Sequence, residues 1–366
     1  MDLAERLRQA RSAAGLTQKQ VSERCGIDDS TLSAFEKGER EPRLGHLDRL
    51  ARVYQIPLSS LLGAPMPSTS AVMWRNKLED HKDIGQRFLT LCRLYHQLEV
   101  WTSERPLRGL PQVDDHLGDQ FGYSQAADMA GRVRNDMAIG ERPGESLYRI
   151  LEEVYGVKVF HFDLGNKGVA ASANGSDFGP AILMNSRCSR WRRNHDLAHE
   201  LFHLLTWDRF GHAGNTRSPS EAEEKLATCF AGHLLLPEEV VRRDLDRIKS
   251  KDGRFPFKDL DEIARRFDVS LESLIWRMHF LFSWQEQTTQ ENVERARKYV
   301  EWAPRDSSPQ PPERPERFKV LAIQALQEGH LSLGRFAEFM GISRKEASRY
   351  VSGTEPDYAE TAASAA

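Results

Sequence analysis

His199, Glu200 and His203 hold the clearest chemistry in this 366-residue chain, standing as His-Glu-Leu-Phe-His within Asp196 to Leu205. On a helix, residues four apart share one face about a turn apart, so both imidazoles can reach one ion while Glu200 projects beside them. Two neutral imidazoles and a carboxylate hold Zn²⁺ in a tetrahedral site and leave the fourth position to water, whose pKa the ion lowers towards neutrality. Glu200, next to the ion but not bound to it, would take the proton from that water and pass it to a leaving amine. The spacing therefore predicts a hydrolytic zinc site, with His199 and His203 as metal ligands and Glu200 as the catalytic base.

Neighbouring elements must position these groups. Leu197, Ala198, Leu201, Phe202, Leu204 and Leu205 give the apolar surround of a buried helix. Downstream, Ser218-Pro-Ser220 followed by Glu221, Glu223 and Glu224 marks the acidic first turn of a second helix that stops at Pro237. A third ligand is expected from that turn, whose three acids leave the choice open on spacing alone. His195 completes a three-histidine stripe, and His195-Asp-Leu-Ala-His199 offers a second register one turn earlier. Its carboxylate is the shorter Asp, so a structural His195 near the pocket mouth is expected instead. His233, roughly two and a half turns past Glu224, should point away from the ion. The competing readings are a helix whose two histidines are only hydrogen-bonded in the core, and a structural zinc site without turnover.

The front of the chain follows another pattern. From Leu3 to Gly63 the apolar residues and Gly15, Gly26, Gly38 and Gly45 mark five short helices. Thr17 caps a helix of Gln18 to Arg24, Gly26-Ile27 makes a tight turn, and a helix of Asp29 to Lys37 follows, which is helix-turn-helix spacing. Residues 1–63 carry ten Lys and Arg against nine acids, a balance of +1. Nonspecific affinity for phosphates should be modest, and specific binding should need a dimer on a two-fold site.

The net charge of -3 and the 39% apolar content describe an ordinary soluble chain. No apolar run approaches the roughly 18 residues of a membrane span and no signal peptide is read, so a cytoplasmic location without membrane contact is expected. Cys25, Cys92, Cys188 and Cys229 lack the paired spacing of a zinc knuckle or a disulfide framework. Ala64 to Ala71 and Asp306 to Pro315 read as linkers, and helical periodicity runs through 75–102 and from Ala126 to Ile139. Strand candidates are Val157 to Phe162, Val169 to Ala173 and Ala181 to Met184, a small sheet whose edge could pair with an extended peptide. Asn185 to Arg193 reads as a rim loop. A shift of 315 positions lays Leu331-Ser332 on Leu16-Thr17, Phe336 on Val21, Gly341-Ile342 on Gly26-Ile27, Tyr350 on Phe35 and Gly353 on Gly38, so Phe318 to Gly353 reads as a second helix-turn-helix-like bundle. Arg344, Lys345 and Arg349 on its last helix would suit DNA, and a packing bundle with the same core spacing is an equal reading.

Two resemblances sharpen these expectations. The stretch Glu224-Lys-Leu-Ala-Thr-Cys-Phe-Ala-Gly-His-Leu-Leu-Leu-Pro237, after His-Glu-x-x-His, is similar to the corresponding motif of the ImmA/IrrE metallopeptidases. The resemblance covers roughly 146–281 and implies that Glu224 completes the zinc site. Thr228 stands where that family has Asn, His195 where an apolar residue is usual, and Phe202 where Gly is usual. At the front, Leu16-Thr-Gln-x-x-Val-Ser through Gly26-Ile and Ser30-Thr-Leu-Ser-x-Phe-Glu-Lys-Gly38 to Pro42 resembles the Xre/Cro DNA-binding domains. That resemblance implies that the second helix of the pair enters the major groove with Asp29, Ser30 and Ser33 at base edges, and that Gln18, Lys37 and Arg40 meet phosphates. Asp28-Asp29 is an unusually acidic start for such a helix.

The expected fold is mainly α with a small β-sheet, an α+β chain. Its parts are a five-helix helix-turn-helix domain at 1–63, a linker at 64–74, a helical coupling region and zincin-like metallopeptidase domain at 75–302, a Pro-rich linker at 303–317, a helical bundle at 318–353 and a disordered tail at 354–366. The expected function is a homodimeric transcriptional regulator on a double-stranded DNA operator. Its Zn²⁺ peptidase would cleave a repressor-like or antitoxin-like protein in a stress, phage or mobile-element response. The alternative is a transcription factor whose protease-like domain senses a ligand or metal without hydrolysis.

Overall fold

The computed structural model describes residues 2–14, 16–54, 56, 58–63, 72–74, 81–111, 121–166, 170–212, 218–249, 253–302 and 309–352. Residues 64–71 of the first expected linker, 303–308 of the second, and the tail lie outside them. Helices α1 (Leu3–Ala13), α2 (Gln18–Cys25), α3 (Asp29–Lys37), α4 (Leu44–Tyr54) and α5 (Leu58–Leu61) form the first unit. Their limits follow local chemistry. Thr17 and Gln20 close a reciprocal capping box at the start of α2, and Gly26, at φ 62°, ends it in the left-handed conformation that glycine adopts without strain. Leu7, Val21, Leu32, Phe35, Leu47 and Leu50 meet in a core of this unit's own.

The centre is built on a four-stranded sheet in the order β1-β3-β4-β2, from β1 (Val72–Trp74), β2 (Lys158–Phe162), β3 (Ala170–Gly175) and β4 (Gly179–Asn185). β3 pairs antiparallel with both β1 and β4, while β2 runs parallel to β4. Residues 72–74 thus correct the expected linker: they form an edge strand, with Met73 opposite Ser172. Between β1 and β2 come α6 (His81–Trp101), α7 (Tyr123–Asp136) and α8 (Pro143–Glu153). The expected rim loop is also corrected, because Asn185 closes β4 as a buried residue and α9 (Arg190–Leu205) has begun by Arg190.

Side chains alternate across the sheet, and both faces are covered. Val159, Ala170, Ile182 and Met184 join the core of α9, α10 (Glu221–Leu235), α11 (Glu238–Ile248), α12 (Phe257–Arg266), α13 (Leu271–Phe282) and α14 (Glu286–Trp302). Phe160, Phe162, Ala171 and Leu183 face the opposite core, shared with α6 and with α15 (Glu316–Gln327), α16 (Leu333–Met340) and α17 (Arg344–Ser352). Phe318 of α15 sits edge-on to Tyr95 of α6 at 5.4 Å and to Phe160 of β2 at 6.1 Å. The C-terminal helices therefore share their core with the sheet. The chain is mainly helical with one small sheet, an α+β fold. Among the described residues no helix is long and apolar enough to cross a membrane.

Candidate metal centre

α9 owes its place to its apolar face. Leu197, Ala198, Leu201, Phe202, Leu204 and Leu205 are all buried, and so are His199, Glu200 and His203. Phe202 packs among Phe121, Phe210 and Phe230 with ring centroids 5.6 to 6.2 Å away. α10 lies against α9 and opens on Ser220, whose side chain accepts from the Glu223 amide, so the three acids of its first turn sit at the positive end of the helix.

These acids have separate surroundings. Glu221 pairs with Lys225 on the surface at 2.7 Å. Glu223 is buried and meets His212 Nε2 at 2.9 Å, while the Ser220 hydroxyl donates to its other oxygen at 3.0 Å. Glu224 turns to the histidines: Oε2 is 3.1 Å from His199 Nε2 and Oε1 is 3.4 Å from His203 Nε2. The two Nε2 atoms are 3.3 Å apart. A tetrahedral ion with arms of about 2.0 to 2.2 Å needs ligand atoms about 3.3 to 3.6 Å from each other. The Nε2–Nε2 separation matches that edge length, and the two carboxylate contacts, one to each Glu224 oxygen, lie near it, so the donor set suits a zinc-like cation. Among the described residues, His199, His203 and Glu224 are the group able to hold a metal ion. The Glu224 side chain keeps 23% of its exposure, while both imidazoles keep almost none.

Glu224 is held as a carboxylate, the form a cation would need. Burial alone would raise the Glu224 carboxyl, but hydrogen bonds and charge from His199 and His203 outweigh it and hold the group at about 2. Thr228, one turn beyond Glu224, donates its hydroxyl to the Glu224 carbonyl at 2.9 Å, and its oxygen lies 3.5 Å from His199 Nδ1. An Nδ1–H given to that oxygen leaves the Nε2 lone pair facing the cluster. In the sequence Thr228 stands out only as a departure from the family pattern; its spacing of four from Glu224 is the available signal. His212 carries no such signal.

The other histidines stand apart. The His195 ring is 6.4 Å from that of His199 and outside the three-ligand group, so the earlier register is not formed. His233 accepts from Arg277 on Nε2 at 2.8 Å and meets the Cys229 carbonyl through its other ring nitrogen at 2.9 Å, outside the three-ligand group.

In the front unit, Asp29, Ser30, Lys37 and Arg40 are exposed and Ser33 is half-buried. Gln18 is committed inward: its amide donates to Glu36 at 2.8 Å, and Glu36 is buried under Arg11 at 2.7 Å. That three-residue network, which local sequence patterns do not reveal, ties α1, α2 and α3 together.

A helix-turn-helix domain model matches residues 2–61, and an IrrE N-terminal-like domain model matches residues 152–279. The chain joins these two domains. The IrrE-like domain is metallopeptidase-like and spans all of the cluster described above. Over 63 residues the chain is 38% identical to the HTH-type transcriptional regulator ImmR of Bacillus subtilis (strain 168), covering 17% of this chain and 50% of that protein. Over 59 residues it is 30% identical to the cryptic phage CTXphi transcriptional repressor RstR of Vibrio cholerae, covering 16% and 53%. The chain thus spans about half the length of these curated relatives. Among solved structures, a Mycobacterium tuberculosis transcriptional regulator aligns at 17% identity over 51% of each chain, with a TM-score of 0.32.

Proposed function

We propose that this chain is a cytoplasmic, homodimeric regulator that binds a DNA operator through α3 and carries a zinc peptidase in its IrrE-like domain. The peptidase would act by limited cleavage of a repressor-like or antitoxin-like protein under stress or mobile-element induction. The carrying observation is the convergence of the His199 and His203 Nε2 atoms, 3.3 Å apart, on the Glu224 carboxylate at 3.1 and 3.4 Å, with Glu200 buried on the same helix.

His199 and His203 would offer Nε2 and Glu224 a carboxylate oxygen to Zn²⁺. Bound there, the ion supplies Lewis acidity, polarising a scissile carbonyl and acidifying nearby water. Thr228 keeps the His199 ring in the orientation that this requires. Glu200 takes the proton as the water oxygen attacks the carbonyl carbon, and returns it to the nitrogen as the C–N bond breaks. In the front unit, Asp29, Ser30 and Ser33 would meet base edges, with Lys37 and Arg40 on phosphates. Gln18, held by Glu36, would reach a phosphate only by giving up that bond.

Glu200→Gln tests the reading. It should keep zinc, slow cleavage by about 10²- to 10⁴-fold, and accumulate an uncleaved partner in pulldowns from the native host. Unchanged cleavage, or unchanged regulatory output, would remove Glu200 and the peptidase from the account.

A further inference from the structure

The last three helices repeat the front of the chain more closely than their sequence suggests. α16 spans 333–340 and α17 spans 344–352, each limit 315 positions beyond α2 at 18–25 and α3 at 29–37, with no insertion. The turn between them is repeated as well. Gly341 ends α16 at φ 67°, as Gly26 ends α2 at φ 62°. Ser332 caps α16 where Thr17 caps α2, and the buried Val21 and Leu32 are matched by the buried Phe336 and Ala347.

A repeated fold alone says nothing of a ligand; the surface of α17 does. The positions of Asp29 and Ser30 are taken by Arg344 and Lys345, and a further turn on lies Arg349. All three are exposed, as is Ser348, which stands at the position of Ser33. The helix's one acid is turned to its own end: the Glu346 carboxylate accepts from the Ser343 amide at 2.8 Å and from its hydroxyl at 2.7 Å, a closed capping box. Residues 309–352 carry seven Lys and Arg against five acids, and three of those cations are on α17. The mount is firm, because α15 packs on α6 and the sheet while α17 packs on α16. Tyr350 shows the difference from the front unit. It packs edge-on to Phe336 at 5.4 Å yet stays 47% exposed, whereas Phe35 at the matching position is buried beside α4.

We infer that α16 and α17 form a second helix-turn-helix that holds duplex DNA, with Arg344, Lys345 and Arg349 on its phosphates and groove edges. Recognition helices meet DNA chiefly through their N-terminal residues, which is where Arg344 and Lys345 stand. A protein partner would call for an apolar face, and three cations beside one aromatic ring make a poor one. With its own site at each end, one chain could engage two stretches of duplex.

The test uses the full-length protein and a random-sequence duplex of about three helical turns, with binding followed by anisotropy across a salt series. Arg344→Ala, Lys345→Ala and Arg349→Ala together should flatten the slope of log affinity against log salt by up to about 2.7, or about 0.9 for each phosphate no longer neutralised. At low salt the affinity should fall at least tenfold. Restoring charge with Arg344→Lys and Arg349→Lys in place of the alanines should recover most of the slope. Lys37→Ala with Arg40→Ala, in the front unit, should leave this component in place. A wild-type slope in the triple variant would overturn the inference, as would a loss that charge-conserving replacements do not recover, or a triple variant changed in oligomeric state but not in DNA affinity. Unchanged melting temperatures separate each outcome from unfolding.

Discussion

The two faces of the sheet each bury a polar cluster, and they are built on opposite principles. On the α9 face, the Nε2 atoms of His199 and His203 lie 3.3 Å apart and meet the two oxygens of the Glu224 carboxylate at 3.1 and 3.4 Å. On the α6 face, Glu99 meets Lys158 at 2.9 Å and Arg317 at 2.5 Å, while the Tyr95 hydroxyl donates to Glu152 at 3.2 Å. The second cluster brings its own cations and so pins α6, β2 and α15 together. The first gathers two imidazoles and one carboxylate around a shared point, where either a proton or a cation must lie among them. Buried charge matched by fixed Lys and Arg side chains is structural; donor atoms gathered around a shared point can exchange a shared proton for a metal ion.

That contrast can be broken at either side. The largest effect should come from Glu99→Gln, which leaves the buried Lys158 without its carboxylate and should cost about 3 to 5 kcal/mol by denaturant titration, with metal content unchanged. Glu152→Gln comes next, and its effect depends on pH. Burial outweighs the bonds from Tyr95, Arg317 and Tyr148 and pushes the Glu152 carboxyl up to about 7. A group raised in the folded state favours its protonated form, so its penalty is absent below about 4.5, grows as pH rises to about 7, and is complete above that. Glu152→Gln should therefore stabilise the protein by up to about 3 kcal/mol at pH 8 and have little effect at pH 4.5. Glu99 has the opposite sign. Burial works to raise it, but His96, Lys158 and Arg317 outweigh burial and hold it at about 2, so its contribution is full above about 4.5 and lost as pH falls towards 2. The smallest effect is expected at the metal side, where Thr228→Ala should weaken zinc affinity by about 10- to 100-fold and leave the melting temperature of the metal-free protein unchanged. If Thr228→Ala destabilised the metal-free fold while Glu99→Gln lost metal, the division between the two clusters would fail.

The sequence spoke most clearly where chemistry is local. Thr17, Gly26 and the apolar spacing marked α2 and α3, and the spacing of four between His199 and His203 placed both rings on one face of α9. The repeat at 315 positions was visible in the same way, through a cap, a glycine and a few core residues. Long-range pairing was not. β1 is three residues that pair about a hundred positions further on, and Arg317 reaches Glu99 across 218 positions. The place of the C-terminal helices on the sheet was hidden for the same reason, since Phe318 and Phe160 advertise burial but not each other. Thr228 and the Gln18–Glu36–Arg11 network fall between these cases: each member could be seen in the chain, but its partner depends on how two helices pack.

Zinc stoichiometry tests the central claim most directly. Protein purified under metal-replete conditions and assayed by elemental analysis should carry about one zinc per chain, and His203→Ala should lose it while keeping its helical content. Less than about half an equivalent in the wild type, or equal zinc in His203→Ala, would contradict a metal centre at His199, His203 and Glu224.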